Sequence, residues 1–191
     1  MTDAVSICNL ALQRVGAKSI SSLTEDSTAA RACNRVYTQA RDSELRAHVW
    51  SFARERVQVA ADGTDPTFGY AKRYALPSDC LRILPTNGTK GDPVQDDWQI
   101  EGRFVLTDDA SPINLIYIKR ETDENTFDAL FTELLISRIA MDVSEKVTQS
   151  NTKKEDAQKH YVEVQREARR VNAFERPPQD PATDPWLNAR L

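Results

Sequence analysis

The chain has 191 residues, 40% hydrophobic and 28% charged, with a net charge of -4 and a pI near 5.3. That balance is globular and excludes a disordered chain. No apolar run approaches the ~18 residues that cross a bilayer, and the acidic balance without a long basic run speaks against a sequence-reading nucleic-acid binder. Met1-Thr2-Asp3-Ala4 lacks the basic and apolar segments of a secretory leader, so the chain is expected to fold in the cytoplasm of its producing cell. Cys8, Cys33 and Cys80 are odd in number, far apart and set among apolar neighbours. They read as reduced, half-buried thiols and not as a disulfide framework. Asn87-Gly88-Thr89 matches a glycosylation sequon and, with no leader, reads as a turn.

The first predicted element is a helix from Thr2 to Val15. Thr2 or Asp3 caps it, Val5, Cys8, Leu12 and Val15 recur along one face, and Gly16 ends it. A second helix starts at an Asp26 or Ser27 cap, with Ala29, Cys33, Val36 and Ala40 as its stripe and Tyr37 beside it, and runs to about His48. Arg31, Arg35, Arg41, Asp42, Glu44 and Arg46 are expected mostly to face outward. From Trp50-Ser-Phe52 the period changes to alternation through Val59, read as a strand against a rival helix to Ala60. Asp62 to Pro66 breaks the chain, and Pro77 forbids a helix after Tyr70, Tyr74 and Leu76. Leu81 to Leu84 is a short strand. Trp98-Gln-Ile100, Glu101-Gly102 and Arg103 to Leu106 spell a hairpin, and Asn114 to Lys119 alternates again.

Helix returns after Thr126, with a broad apolar face of Phe127, Leu130, Phe131, Leu134, Leu135, Ile139 and Val143. An Asn151 or Thr152 cap opens a last helix to about Ala173, whose narrow stripe is Ala157, Tyr161, Val164, Ala168 and Val171. That seam is the mark of packing on one or two neighbouring helices. Pro177, Pro178, Pro181 and Pro185 make the final segment extended. Trp186 and Leu187 near its tip suggest an anchor buried in a partner. The fold class expected is α+β: a four-helix bundle (1–49 and 126–173) with an inserted small antiparallel β domain (50–125) and an extended C-terminal arm (174–191).

Chemistry is sparse. His48 and His160 have no partner at metal-ligand spacing. Cys80 is the one cysteine in a turn-like context, and no glycine motif flanks it. Gly88 to Asp92 lacks the spacing of a phosphate loop, and Asp96-Asp97 and Asp108-Asp109 lack that of a calcium loop. Trp50 and Trp98 read as β-core or interface anchors. No catalytic, cofactor-binding or metal-ligating residue is assigned.

Four stretches together resemble a known family. Ile7-Cys-Asn-Leu-Ala-Leu-Gln-Arg-Val-Gly16 is followed by Ala29-Ala-Arg31-Ala-Cys-Asn, then by His48-Val-Trp50-Ser-Phe52-Ala, then by Tyr74-Ala-Leu76-Pro77-Ser-Asp-Cys80-Leu81-Arg82. Their succession over residues 1 to 173 resembles the head-to-tail adaptors of tailed, chiefly short-tailed, bacteriophages, the tail tubular protein A or gatekeeper family. The resemblance implies a non-enzymatic virion protein without a cofactor. It implies a homo-oligomeric ring, a dodecamer, at the head–tail junction. Its partners would be the portal protein, the tail nozzle protein and tail fibres, with no membrane. The genome DNA would transit the lumen without sequence-specific binding, and the chain would be made in the host cytoplasm. The arm residues Pro185, Trp186, Leu187, Arg190 and Leu191 are expected to hold the portal. Tyr161, Val164, Ala168 and Val171 are expected to make ring or bundle contacts. The alternatives are a helical regulatory or DNA-binding protein, and a small enzyme using Cys80 or His48.

Overall fold

A computed structural model describes residues 3–84 and 98–175. Helix α1 (Ala4–Arg14) starts where the Asp3 carboxylate accepts the Ser6 N–H at 2.7 Å. It closes on Gly16 at φ 71, with the N–H groups of Gly16 and Ala17 returning to Gln13 and Leu12. This double return satisfies carbonyls that a helix end leaves unpaired. Ser27 caps α2 (Thr28–Ala47), accepting from Ala30 N–H at 3.1 Å. After His48 the chain is extended, turns once through Ser51–Ala53 and enters β1 (Arg54–Val59), so the strand displaces the rival helix.

The remaining strands are β2 (Lys72–Ala75), β3 (Cys80–Ile83), β4 (Trp98–Glu101), β5 (Phe104–Thr107) and β6 (Ile113–Lys119). They form two three-stranded antiparallel sheets, β1-β6-β3 and β2-β5-β4. Gly102, at φ 59, permits the tight β4–β5 turn.

Strand β6 explains the layering. Ile113, Leu115 and Tyr117 face a cluster with Tyr74, Cys80 and Val105. Ile118, on the opposite face, is fully buried in the helical core, with Ile116 packed partly against it. The first sheet is therefore a middle layer between the helices and the second sheet. Ion pairs and backbone bonds rivet it to α2. Arg120 reaches Asp42 at 2.8 Å, Arg82 donates to the Arg46 carbonyl at 3.1 Å, and Arg46 donates to the Leu81 carbonyl.

Helix α3 (Ala129–Thr148) begins at Asp128, whose carboxylate accepts from Leu130 and Phe131 N–H. Phe127 thus precedes the helix instead of opening its face, yet its ring still meets Phe131 at 5.1 Å between centroids. Gln149 at φ 53 ends α3. That leaves Ser150 extended and able to cap α4 (Asn151–Phe174), one residue ahead of the expected cap.

Three expectations are corrected by burial. Trp50 is not in the β core: it is 1% exposed among the helices, donates to the Glu44 carbonyl at 2.9 Å and meets Phe131 edge-on. The extended segment after α2 folds back onto α3 and carries it there. Arg41 and Glu44 are buried instead of facing outward. The cysteines are buried, not half-buried, and Cys8 and Cys33, far apart in sequence, come together where α1 meets α2. The neighbouring Cys33 thiol, then burial, pushes the Cys8 thiol far above its ordinary range.

Candidate partner-binding surface on the last helix

Helix α4 carries three of the exposed large apolar side chains among the described residues, Val162, Val171 and Phe174, and one buried polar one, Asn172. Its inner face follows the predicted seam at Val164 and Ala168, both buried, and at Tyr161, half-buried against the core. At the next step it departs. Val171 is 37% exposed and Asn172 turns inward at 7%. A seam written at 3.5 residues per turn drifts on a straight helix of 3.6, so position 172 and not 171 meets the bundle. Val171 thus lies at the edge of the bundle, and Asn172 takes the inward position at this step of the seam.

A polar clamp ties the upper part of the seam. The Glu44 carboxylate on α2 accepts the Tyr161 hydroxyl at 2.7 Å and the Arg138 guanidinium of α3 at 3.2 Å on one oxygen. Gln165 donates to the Tyr161 oxygen at 2.5 Å, and Arg138 also holds Asp142 at 2.9 Å. One carboxylate thus joins three helices. Burial, then the Glu44 carboxylate beside it, raises the Tyr161 phenol above its ordinary range. Burial works against the Arg138 charge, and Asp142 more than offsets that cost, so the guanidinium stays ionised.

A second clamp lies at the end of α4. Asn172 donates through Nδ2 to the Val49 carbonyl at 2.7 Å and meets His48 Nε2 at 2.9 Å. Its Oδ1 accepts both the Ser51 N–H and the Ser51 hydroxyl at 3.2 Å. The two backbone partners fix which way the amide points. The last turn of α4 thereby holds the joint through which α2 enters the first sheet.

On the outside, Val162, Val171 and Phe174 are exposed, Phe174 at 81%. Val171 and Phe174 sit one turn apart at the very end of α4. Pro185, Trp186, Leu187, Arg190 and Leu191 lie outside the described residues, as do Asn87-Gly88-Thr89, Gly88 to Asp92 and Asp96-Asp97.

The residues with chemical potential have structural partners. His160 Nε2 stands 3.3 Å from Arg14 and 3.9 Å from Glu133. Ser137 lies beside them, but its hydroxyl donates to the Glu133 carbonyl at 2.9 Å and accepts from Arg14 at 2.6 Å, and it is buried. The group joins α1, α3 and α4 and contains no nucleophile–base contact. Burial raises the Cys80 thiol, which disfavours the reactive thiolate. Among the described residues no group of three His, Cys, Asp or Glu side chains is placed to hold a metal, and no helix is long and apolar enough to cross a membrane.

Sequence reasoning missed Glu44, Arg138 and Asn172. Glu44 carried a usable signal, since it stands four residues after Ala40 on the stripe of α2. A charge at a core position demands a buried partner. No protein-family model matches the chain, and no curated protein matches it in sequence.

Proposed function

We propose that the chain is a structural head-to-tail adaptor of a tailed-phage virion, assembling as a ring between the portal and the tail nozzle. The observation that carries this reading is where the four resembling stretches lie. Each falls on an element or a joint of the helical and sheet layers. Ile7 to Gly16 forms α1 and its closing turn, and Ala29 to Asn34 starts α2. His48 to Ala53 is the helix-to-sheet joint that Asn172 clamps. Tyr74 to Arg82 spans β2 to β3. There the Asp79 carbonyl accepts Arg120 N–H at 2.7 Å and its carboxylate accepts the Tyr117 hydroxyl at 3.3 Å. That these stretches fall on successive elements and joints supports reading the resemblance as one of order and spacing, not merely of composition. The exposed Val171 and Phe174 at the base of the proline-rich segment add apolar surface of the kind a partner buries.

The genome runs through the ring without being read, and the chemistry required of the protein is packing. Electron microscopy of the purified chain mixed with the portal protein of the same genome tests the reading. Rings seated on the portal are expected. No complex at any ratio would overturn it. Removing Asp184 to Leu191 is expected to weaken portal attachment and to leave the helical circular dichroism unchanged.

A further inference from the structure

We propose that the surface around the turn 77–82 is a phosphate-binding patch whose ligand is the backbone of double-helical DNA, held without regard to base sequence. The patch stands whether or not the chain forms rings, so either reading can fail without the other.

Arginines converge on that turn from α2, β3, the β4–β5 turn and the end of β6. Arg46, in the last turn of α2, donates to the Leu81 carbonyl, and Arg103 donates to the Pro77 carbonyl. Arg120, just past β6, donates its backbone N–H to the Asp79 carbonyl at 2.7 Å. Arg82, in β3, closes the set by donating to the Arg46 carbonyl at 3.1 Å. Burial pushes the Cys80 thiol up, and the Arg103 and Arg46 guanidinia beside it act the other way, which places both charges on this turn. Arg46, Arg103 and Arg120 are exposed, and Arg82 is half-buried.

This charge is not cancelled on the spot. Asp42 is shared between Arg120 at 2.8 Å and the buried Arg41 at 2.9 Å. Asp79 accepts the Tyr117 hydroxyl at 3.3 Å and, among the described residues, pairs with no cation. On β6, Lys119 is taken up by Glu121 at 3.0 Å and Glu55 at 3.7 Å. Glu101 stands in the same hairpin as Arg103 without pairing with it. Among the described residues Arg46, Arg82 and Arg103 each have a backbone carbonyl as partner and no carboxylate. Arg14, Arg31, Arg73 and Arg138, by contrast, each hold a carboxylate. A guanidinium tied to a carbonyl keeps its full charge and its remaining N–H donors. A chain of net charge -4 thus gathers uncompensated positive charge at one place.

The chemistry of the patch selects the ligand. Its cations are arginines, whose planar fork matches two oxygens of a phosphate at once. The carbonyl anchors hold the guanidinia before a ligand arrives, so binding loses little side-chain freedom. Duplex DNA presents one negative charge per roughly 1.7 Å of its axis, so a fixed group of guanidinia meets several phosphates together. An acidic peptide offers carboxylates on flexible side chains that must first be ordered. Phosphate contacts carry no base information, which agrees with a chain whose acidity speaks against reading sequence. The acidic remainder repels DNA, so the contact is weak and steeply salt-dependent.

The test is the fluorescence anisotropy of a short labelled duplex titrated with the full chain. At about 20 mM salt a Kd on the order of 0.1 mM or tighter is expected. Affinity should then fall roughly 80-fold by about 100 mM salt, the loss for about three phosphate contacts at a slope of about -0.9 each. Arg103→Gln, whose side chain holds only the Pro77 carbonyl, is expected to leave circular dichroism unchanged. It should weaken binding about tenfold at about 20 mM salt and make the slope shallower by about 0.9. Arg166→Gln removes the same charge from an exposed position on α4 and is expected to change neither. Unlabelled duplex of unrelated sequence should displace the probe, and polyglutamate at matched charge should not. No binding at about 20 mM salt with about 1 mM protein would overturn the patch. So would an equal loss in Arg103→Gln and Arg166→Gln. Displacement by polyglutamate as effective as by duplex would overturn DNA as the ligand.

Discussion

Replacing Glu44 with Ala removes the one carboxylate shared by α2, α3 and α4. Glu44 is 2% exposed, so its loss leaves the Tyr161 hydroxyl and one face of the Arg138 guanidinium without their acceptor. Breaking a buried pair by deleting one partner costs about 3–5 kcal/mol. Arg138 is 30% exposed and keeps Asp142, so water and the second carboxylate recover part of that. The expected loss is about 2–3 kcal/mol. In a chain of this length it lowers the melting temperature by roughly 4–12 °C. Tyr161→Phe removes one hydrogen bond and is expected to cost about 1 kcal/mol. Because that bond ends on the Glu44 carboxylate, the double variant should cost scarcely more than Glu44→Ala alone, a coupling of about 1 kcal/mol. Urea unfolding followed by circular dichroism measures all three. A Glu44→Ala loss under about 0.5 kcal/mol, or strict additivity with Tyr161→Phe, would refute the clamp.

Two further outcomes follow from burial. Burial, then the Asp79 carboxylate, pushes the Tyr117 phenol up to about 12. A phenol raised above its unfolded value of about 10 contributes stability that is complete below that pH and is lost as pH climbs toward 12. Tyr117→Phe is therefore expected to flatten the alkaline loss of stability between about pH 10 and 12, and an unchanged slope in that window would contradict the assignment. Cys8, Cys33 and Cys80 are all buried. A thiol reagent should modify none of them in the native protein within minutes and all three after unfolding. Rapid native modification of even one would show that the core around it opens more readily than its packing implies.

The legible parts of the sequence were those where a local rule has no competitor. Asp3, Ser27 and Gly16 announce helix ends because a short oxygen-bearing side chain or an absent β-carbon satisfies a backbone requirement within a few residues. The β4–β5 hairpin is legible for the same reason, through Gly102. What escaped depends on distant partners. Glu44 reads as a surface charge until Arg138 and Tyr161, 94 and 117 residues away, are brought to it. Alternation located β1 and β6 but not β2, and not the division of the strands into two sheets, since β6 is apolar on both faces and can serve either side. On α4 the seam at Tyr161, Val164 and Ala168 was legible, and its switch to Asn172 depended on a helical drift of about 20° per heptad. The arm residues fall beyond the described chain, so the sequence remains their sole description.

The Asn172 clamp has a mechanical consequence. Any tension transmitted through the chain beyond Glu175 enters the subunit along α4 and reaches Asn172 before it reaches the Glu44 clamp. The first bonds to strain are those to His48, Val49 and Ser51. A tug on that end is thus felt first at the joint between the helices and the first sheet. The bonds of Arg46, Arg82 and Arg120 between α2 and that sheet do not pass through Asn172, so the joint keeps a second set of ties when the first is strained.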